Sequence, residues 1–176
     1  MAKNQFIPPI RGLINSSSDQ FEHAMDDVPE VDGAELLVDR FGHWPSFHDA
    51  EVLWIRLDRR NGLQFQGPTV EMLVHVFEIT SEVTEDGYYR LKNHSLVHFR
   101  FEHVTELQLD GFNHQNAVFG LTIVDETGTG WENKFYKVTL DPSYGVAGGF
   151  HCIRPEVLTV SPCDADGTIN TQSEPH

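Results

Sequence analysis

The sequence predicts a mainly β fold with a minor helical part: a curved antiparallel sheet or sandwich with a short N-terminal helical segment. Three observations carry this. Apolar residues alternate with polar ones in several segments after Pro45, which is the period of a half-buried strand. Glu85-Asp86-Gly87, Asp110-Gly111, Glu126-Thr127-Gly128 and Asp141-Pro142 supply turn chemistry between those segments, spaced closely enough for antiparallel neighbours. No helical pattern long enough for a parallel βαβ crossover separates them.

Each element follows from its residues. Ser16, Ser17 and Ser18 can cap a short helix over Asp19–Met25, with Phe21, Ala24 and Met25 on one side, and Pro29 stops its continuation. A second short helix is predicted over Ala34–Phe41, where Leu37 and Phe41 are one turn apart and Gly42 supplies a stop. Ala50–Asp58 is partly apolar on both faces, as a central strand would be. Val70–Ile79 puts Val70, Met72, Val74 and Val76 on one face and Glu71, Leu73, His75, Phe77 and Ile79 on the other. Ser95–Val104 sets Val97, Phe99 and Phe101 against Leu96, His98, Arg100 and Glu102. Thr105–Leu109 either carries that strand onward or forms its neighbour. Val118–Val124, Lys134–Leu140 and Val146–Ile153 follow, and Val157–Val160 can add a short last strand. The expected organisation is one domain over 1–160, with an acidic, partly helical segment over 1–40 and a β-rich body over 41–160. A loose acidic tail is expected over 161–176.

The chain has 176 residues, 39% apolar and 11% aromatic, enough to bury roughly 70% of its unfolded surface without a disulfide or a metal. Twelve Lys and Arg against 27 Asp and Glu give a net charge of −15. That balance argues against nucleic acid or an anionic membrane as partner and leaves a cationic protein partner, or solubility alone. The N-terminal stretch is broken by Pro8 and Pro9 and holds no signal-peptide core, and no apolar run is long enough for a membrane helix. Cys152 and Cys163 make neither a disulfide framework nor a CxxC pair. A cytoplasmic protein with reduced thiols and no cofactor is expected.

The stretch from Phe41 to Val52, FGHWPSFHDAEV, is the densest in chemistry. If His48 and Asp49 lie in a turn before the strand, Asp49 can accept backbone N–H groups and His48 can tuck inward; if the strand has begun, they point apart. Trp44 and Phe47 are expected to plug the end of the core while the polar residues satisfy the turn. The functional alternative makes His48 a general base or metal ligand. His75 and His98, with Arg100 and Glu102 near, would form an imidazole–carboxylate–guanidinium cluster if their strands are neighbours in the right register. A metal-dependent enzyme centred on His48, His75 and His98 is therefore one alternative. A glycan-binding β-sandwich with Trp131, Tyr136 and Tyr144 in an exposed row is another. Asp125, Glu126 and Glu132 suit a solvated hairpin tip better than a calcium corner. No GxSxG elbow or metal-spacing motif is present, so neither catalytic residues nor a metal is predicted.

The stretch W-P-S-F-H-D-A-E-V, with Trp44, Pro45, Phe47, His48, Asp49 and Val52, resembles the immunity protein 50 family of bacterial polymorphic toxin systems. The likeness extends over the strand series to about Val160 and is not traced through the acidic segment before Asp39. It implies a small, mostly β protein, with Phe-His-Asp entering its first long strand, that neutralises a cognate toxin by binding it. It carries no catalytic residues. From Gly12 to Asp39 there are eight acids and no Lys or Arg. Of these, Asp26, Asp27, Glu30, Asp32, Glu35 and Asp39 are expected to meet a basic toxin, unless the sheet neutralises them with Arg56, Arg59 or Arg60.

Overall fold

The computed structural model describes residues 28–59, 67–128 and 135–169. The expected helix over Asp19–Met25 lies outside them. Among the described residues one helix, α1 (Ala34–Phe41), is followed by eight strands. These are β1 (Glu51–Asp58), β2 (Thr69–Val83), β3 (Tyr89–Glu102), β4 (Thr105–Asp110), β5 (Ala117–Asp125), β6 (Tyr136–Tyr144), β7 (Ala147–Cys152) and β8 (Arg154–Pro162).

Helix α1 forms where the apolar period predicts it. Ala34, Leu37, Val38 and Phe41 are its buried residues, one stripe along the helix. Gly42 ends it at φ 80°, a left-handed value that glycine reaches without Cβ strain, and its N–H donates to the Val38 carbonyl at 2.7 Å. The preceding chain ties the helix to the sheet edge: Asp32 N–H donates to Pro155 O at 3.1 Å, and Val157 N–H to Asp32 O at 2.7 Å.

The strands pair antiparallel in the order β4-β7-β6-β5-β1-β2-β3-β8, so β1 is central, as expected, although its Leu53 and Leu57 are left exposed. The sheet turns back on itself at two seams. At the first, β1 meets β5 only briefly, at Glu51 and Ala117, supported by Val52 N–H to Asn116 O and Val118 N–H to Ala50 O, both 2.9 Å. At the second, β3 runs into β4 across His103 and Val104, while β7 runs into β8 across Ile153. The ladder continues round this bend, with Glu102 opposite Arg154 on one side and Thr105 opposite His151 on the other. Between them Ile153 N–H donates to Glu102 O at 3.0 Å. The two half-sheets thus face each other, and Phe101 meets Phe150 edge to face at 5.0 Å between ring centroids. Val70, Met72, Val74 and Val76 of β2 and Val97, Phe99 and Phe101 of β3 all lie in this core at 1% exposure or less.

Several elements depart from expectation. Strands β2 and β3 run beyond Ile79 and begin before Ser95, so their hairpin projects past the rest of the sheet. Of the two alternatives for Thr105–Leu109 the first holds: β4 carries β3 onward past the bend, and it pairs with β7. Asp141-Pro142 is not a turn: β6 continues to Tyr144, and Pro142 stands opposite Val118 between two register irregularities, where a missing N–H is tolerated. The expected loose tail from Ser161 is held through its first residues. Ser161 and Pro162 pair with Leu96 and Ser95, Cys163 N–H donates to His94 O at 3.1 Å, and Asp164 Oδ1 accepts the N–H groups of Asp166 and Thr168. The ladder with β3 outweighs the weak strand preference of that segment.

Candidate functional site

The Trp44–Val52 stretch is divided between core and surface. It forms the first seam, where Asp49 N–H donates to Val118 O at 2.9 Å. Phe47 is 2% exposed and sits between Trp44, at 5.7 Å, and Phe99, at 5.8 Å, while Pro45 and Val52 are also buried. Trp44 is only partly buried. Phe47 and Asp49 hold φ 57° and 60°, left-handed values that cost a side-chain-bearing residue about 1–2 kcal/mol each. Burying the Phe47 ring contributes roughly 1.5–3 kcal/mol, which offsets much of that cost. The turn also brings His48 and Asp49 together, which an extended strand would forbid: Nδ1 lies 3.1 Å from Oδ2. His48 does not tuck inward; it stays half exposed, 5.9 Å from the exposed ring of Phe119.

The acids of the helical segment have different fates. Asp26 and Asp27 lie outside the described residues. Asp32 is neutralised by Arg154, whose Nε lies 2.6 Å from Oδ2, while Arg56 turns to Asp58 and Glu71; Arg60 lies outside the described residues. Glu30, Glu35 and Asp39 are exposed. Arg40, at the end of α1, points back to the sheet, donating to Ser95 Oγ at 2.8 Å and His94 O at 3.3 Å.

The sheet cluster forms with a different carboxylate. Because Glu71 stands opposite Arg100 in the β2–β3 register, it accepts from Arg100 Nε at 3.1 Å and Nη2 at 2.9 Å, with His98 Nε2 3.4 Å away. Burial pushes the Glu71 carboxyl up, but the Arg100 hydrogen bond and charge, with His98 and Arg56, outweigh it and hold the pKa below its ordinary value. Glu102 turns instead to Arg154, at 3.7 Å. His75 is buried and bonds His94, Nε2 to Nδ1 at 3.1 Å; burial, then the neighbouring imidazole, lowers its pKa. His48, His75 and His98 thus face three different neighbours, Asp49, His94 and Glu71, and His98 Nε2 makes no hydrogen bond among the described residues. Among the described residues no group of three His, Cys, Asp or Glu is placed to hold a metal ion.

A cleft of about 620 Å³ lies at the second seam, lined by Pro68, Val104, Phe135 and Ile153 and by His103, Glu106, Glu126 and His151. His151 stacks on Phe135 at 4.8 Å and stands between two carboxylates, Glu106 at 3.1 Å and Glu126 at 3.4 Å. The neighbouring Cys152 thiol is pushed up to about 12 by burial, so it is no nucleophile at neutral pH. Asp125 caps its own turn, accepting from Thr127 N–H at 2.6 Å. The proposed exposed aromatic row is broken, because Tyr136 is buried; Trp131 lies outside the described residues.

Sequence reasoning missed the projecting β2–β3 hairpin. Its signal was present: Thr80, Val83, Thr84, Tyr88 and Tyr89, strand formers all, flank Glu85-Asp86-Gly87. Val83, Tyr88 and Tyr89 are 60%, 75% and 63% exposed at its tip.

Among the described residues, no helix is long and apolar enough to cross a membrane. A family model described as immunity protein 50 matches residues 33–162, from the start of α1 to the end of β8. No curated protein and no solved structure matches the chain.

Proposed function

Since the chain belongs to the immunity protein 50 family, we propose that it binds a cognate polymorphic toxin in the cytoplasm and neutralises it by stoichiometric protein–protein inhibition. The observation that carries this reading is the family match, which spans the helix and every strand. The chemistry is compatible with binding in place of catalysis: the buried Cys152 thiol is held protonated, and His75 is buried against His94. A net charge of −15 suits a basic toxin, because opposite charge accelerates encounter more than it adds affinity. Glu30, Glu35 and Asp39, with Asp26 and Asp27 ahead of them, are the steering charges of this proposal; Asp32 contributes less, since Arg154 offsets it. The metal-dependent and glycan-binding alternatives have no observation in their favour.

The test is co-expression with the product of the neighbouring gene. The expected result is rescued growth and a stable complex of defined stoichiometry on size exclusion. Neither protection nor complex formation would remove the reading. Steering is tested by replacing Glu35 with Gln and Asp39 with Asn, which should slow association at low salt and leave the melting temperature unchanged. Association rates equal to those of the parent chain at low salt would show that these acids serve only solubility.

A further inference from the structure

From the projecting hairpin we infer where the toxin docks: on the arm formed by residues 78–92, with the exposed side of α1 beside it. This rests on the inhibitory reading above and adds the contact surface and its chemistry to it.

Strand β1 accompanies β2 only as far as His75, and β8 accompanies β3 only from Ser95 onward. Beyond these points the arm is a two-stranded ribbon that no other described strand flanks, in which Glu78 faces Lys92, Ile79 faces Leu91 and Val83 faces Tyr89. Such a ribbon has no core of its own and is marginal in isolation. Its form is nonetheless set locally. Thr84 N–H donates to Tyr88 O at 2.7 Å, Gly87 N–H to Thr84 O at 2.9 Å, and Tyr88 N–H to Thr84 Oγ1 at 3.2 Å. Ordering the turn beforehand lowers the entropy lost on docking.

Ile79, Leu91, Val83, Tyr88 and Tyr89 are all exposed, a concentration of apolar surface that soluble proteins seldom leave without a use. Tyrosine is among the side chains that most often dominate binding energy. The charge around them indicates the occupant. Both cations of the arm are engaged across the ribbon, Arg90 with Glu82 at 3.0 Å and Lys92 with Glu78 at 3.5 Å. Glu85 and Asp86 at the turn have no such cation among the described residues, so the charge left for a partner is negative. The helix continues this character. The chain just beyond it reaches the base of the arm, where His43 lies 4.0 Å from Glu78, and the helix shows Glu35 and Asp39 to solvent while Arg40 faces the sheet. An apolar tip in a negative field fits a toxin surface with an apolar patch ringed by Lys and Arg.

The experiment uses the full chain and the purified product of the neighbouring toxin gene. Replacing both tip aromatics, Tyr88→Ser with Tyr89→Ser, should weaken binding roughly thirtyfold or more, the effect of losing one strong contact residue. The melting curve should match that of the parent, since both rings are exposed. Glu85→Gln with Asp86→Asn should slow association at low salt. Hydrogen exchange on the parent complex should show new protection over residues 78–92. If the parent binds and the tyrosine variant binds equally well, the inference is overturned and the inhibitory reading stands. Should the variant melt early, exchange on the parent complex decides, and protection confined to other segments overturns it. A parent chain that binds no neighbouring product removes the reading and the inference together. Self-association of the parent chain that the tyrosine variant abolishes, with toxin binding intact, would assign the arm to a second copy and overturn the inference as well.

Discussion

Truncating Phe47 probes the family motif most directly. The ring is 2% exposed and wedged between Trp44 and Phe99, so Phe47→Ala removes a buried aromatic from a site closed on both sides. The expected loss is about 3–5 kcal/mol, which for a chain of this size lowers the melting temperature by roughly 6–20 °C. The backbone at this residue adds a second, sharper expectation. At φ 57° both Phe and Ala pay the left-handed penalty of about 1–2 kcal/mol, and glycine does not. Glycine loses about 0.4–1 kcal/mol through a looser unfolded chain. Phe47→Gly should therefore be more stable than Phe47→Ala by about 0.5–1 kcal/mol, although it removes one more carbon. Urea titrations of the three proteins, followed by circular dichroism, measure both differences. Phe47→Ala within about 1 kcal/mol of the parent would refute the packing argument. Phe47→Gly less stable than Phe47→Ala would refute the backbone argument.

The neighbouring His48→Ala should leave stability within about 0.5 kcal/mol of the parent, because its ring is half exposed and its one charged partner is at the surface; a larger loss in the same titration would contradict the assignment. His75 is held below its ordinary value of 6.5, so the unfolded chain takes up a proton before the native one does. Stability attributable to this site is whole above about pH 6.5 and declines as pH falls below it, until the native imidazole also protonates. Melting temperatures measured against pH should show this limb in the parent and lose it in His75→Phe; an unchanged limb would place the effect elsewhere. Glu71 gives a separate loss at lower pH, below its ordinary 4.5 and toward its depressed native value, which Glu71→Gln should abolish. Cys152 should resist a thiol reagent at pH 8 until the chain is unfolded; rapid labelling of both cysteines in the native protein would contradict its burial.

Alternation made the inner faces of β2 and β3 legible, because a sheet with one face in the core writes its period into every second residue. Helix α1 was legible to the residue, since its apolar stripe and Gly42 agree. The pairing of β4 was not, because a bend through His103 and Val104 leaves no signal in composition: the chain changes half-sheets without a turn residue. The projecting arm was hidden for the opposite reason. With both faces in solvent it has no alternation to read, although its β-branched and aromatic residues favoured a strand. At the candidate site, Phe47 could be placed from its type alone. The partners of His98 and Asp32 could not, since Glu71 and Arg154 reach them only through register and across the whole length of the chain.

The Arg154–Asp32 pair joins residues 122 positions apart, and both seams likewise wait for late parts of the chain. Domains built on such distant pairings fold in milliseconds to seconds, far more slowly than helical bundles. During synthesis, the strand that anchors α1 emerges after the other seven described strands, so no earlier fragment can complete the native edge. For a protein whose proposed task is to meet a toxin, the time between translation and a finished fold is a period without protection. A cell relying on it has to keep a folded reserve in place before the toxin arrives.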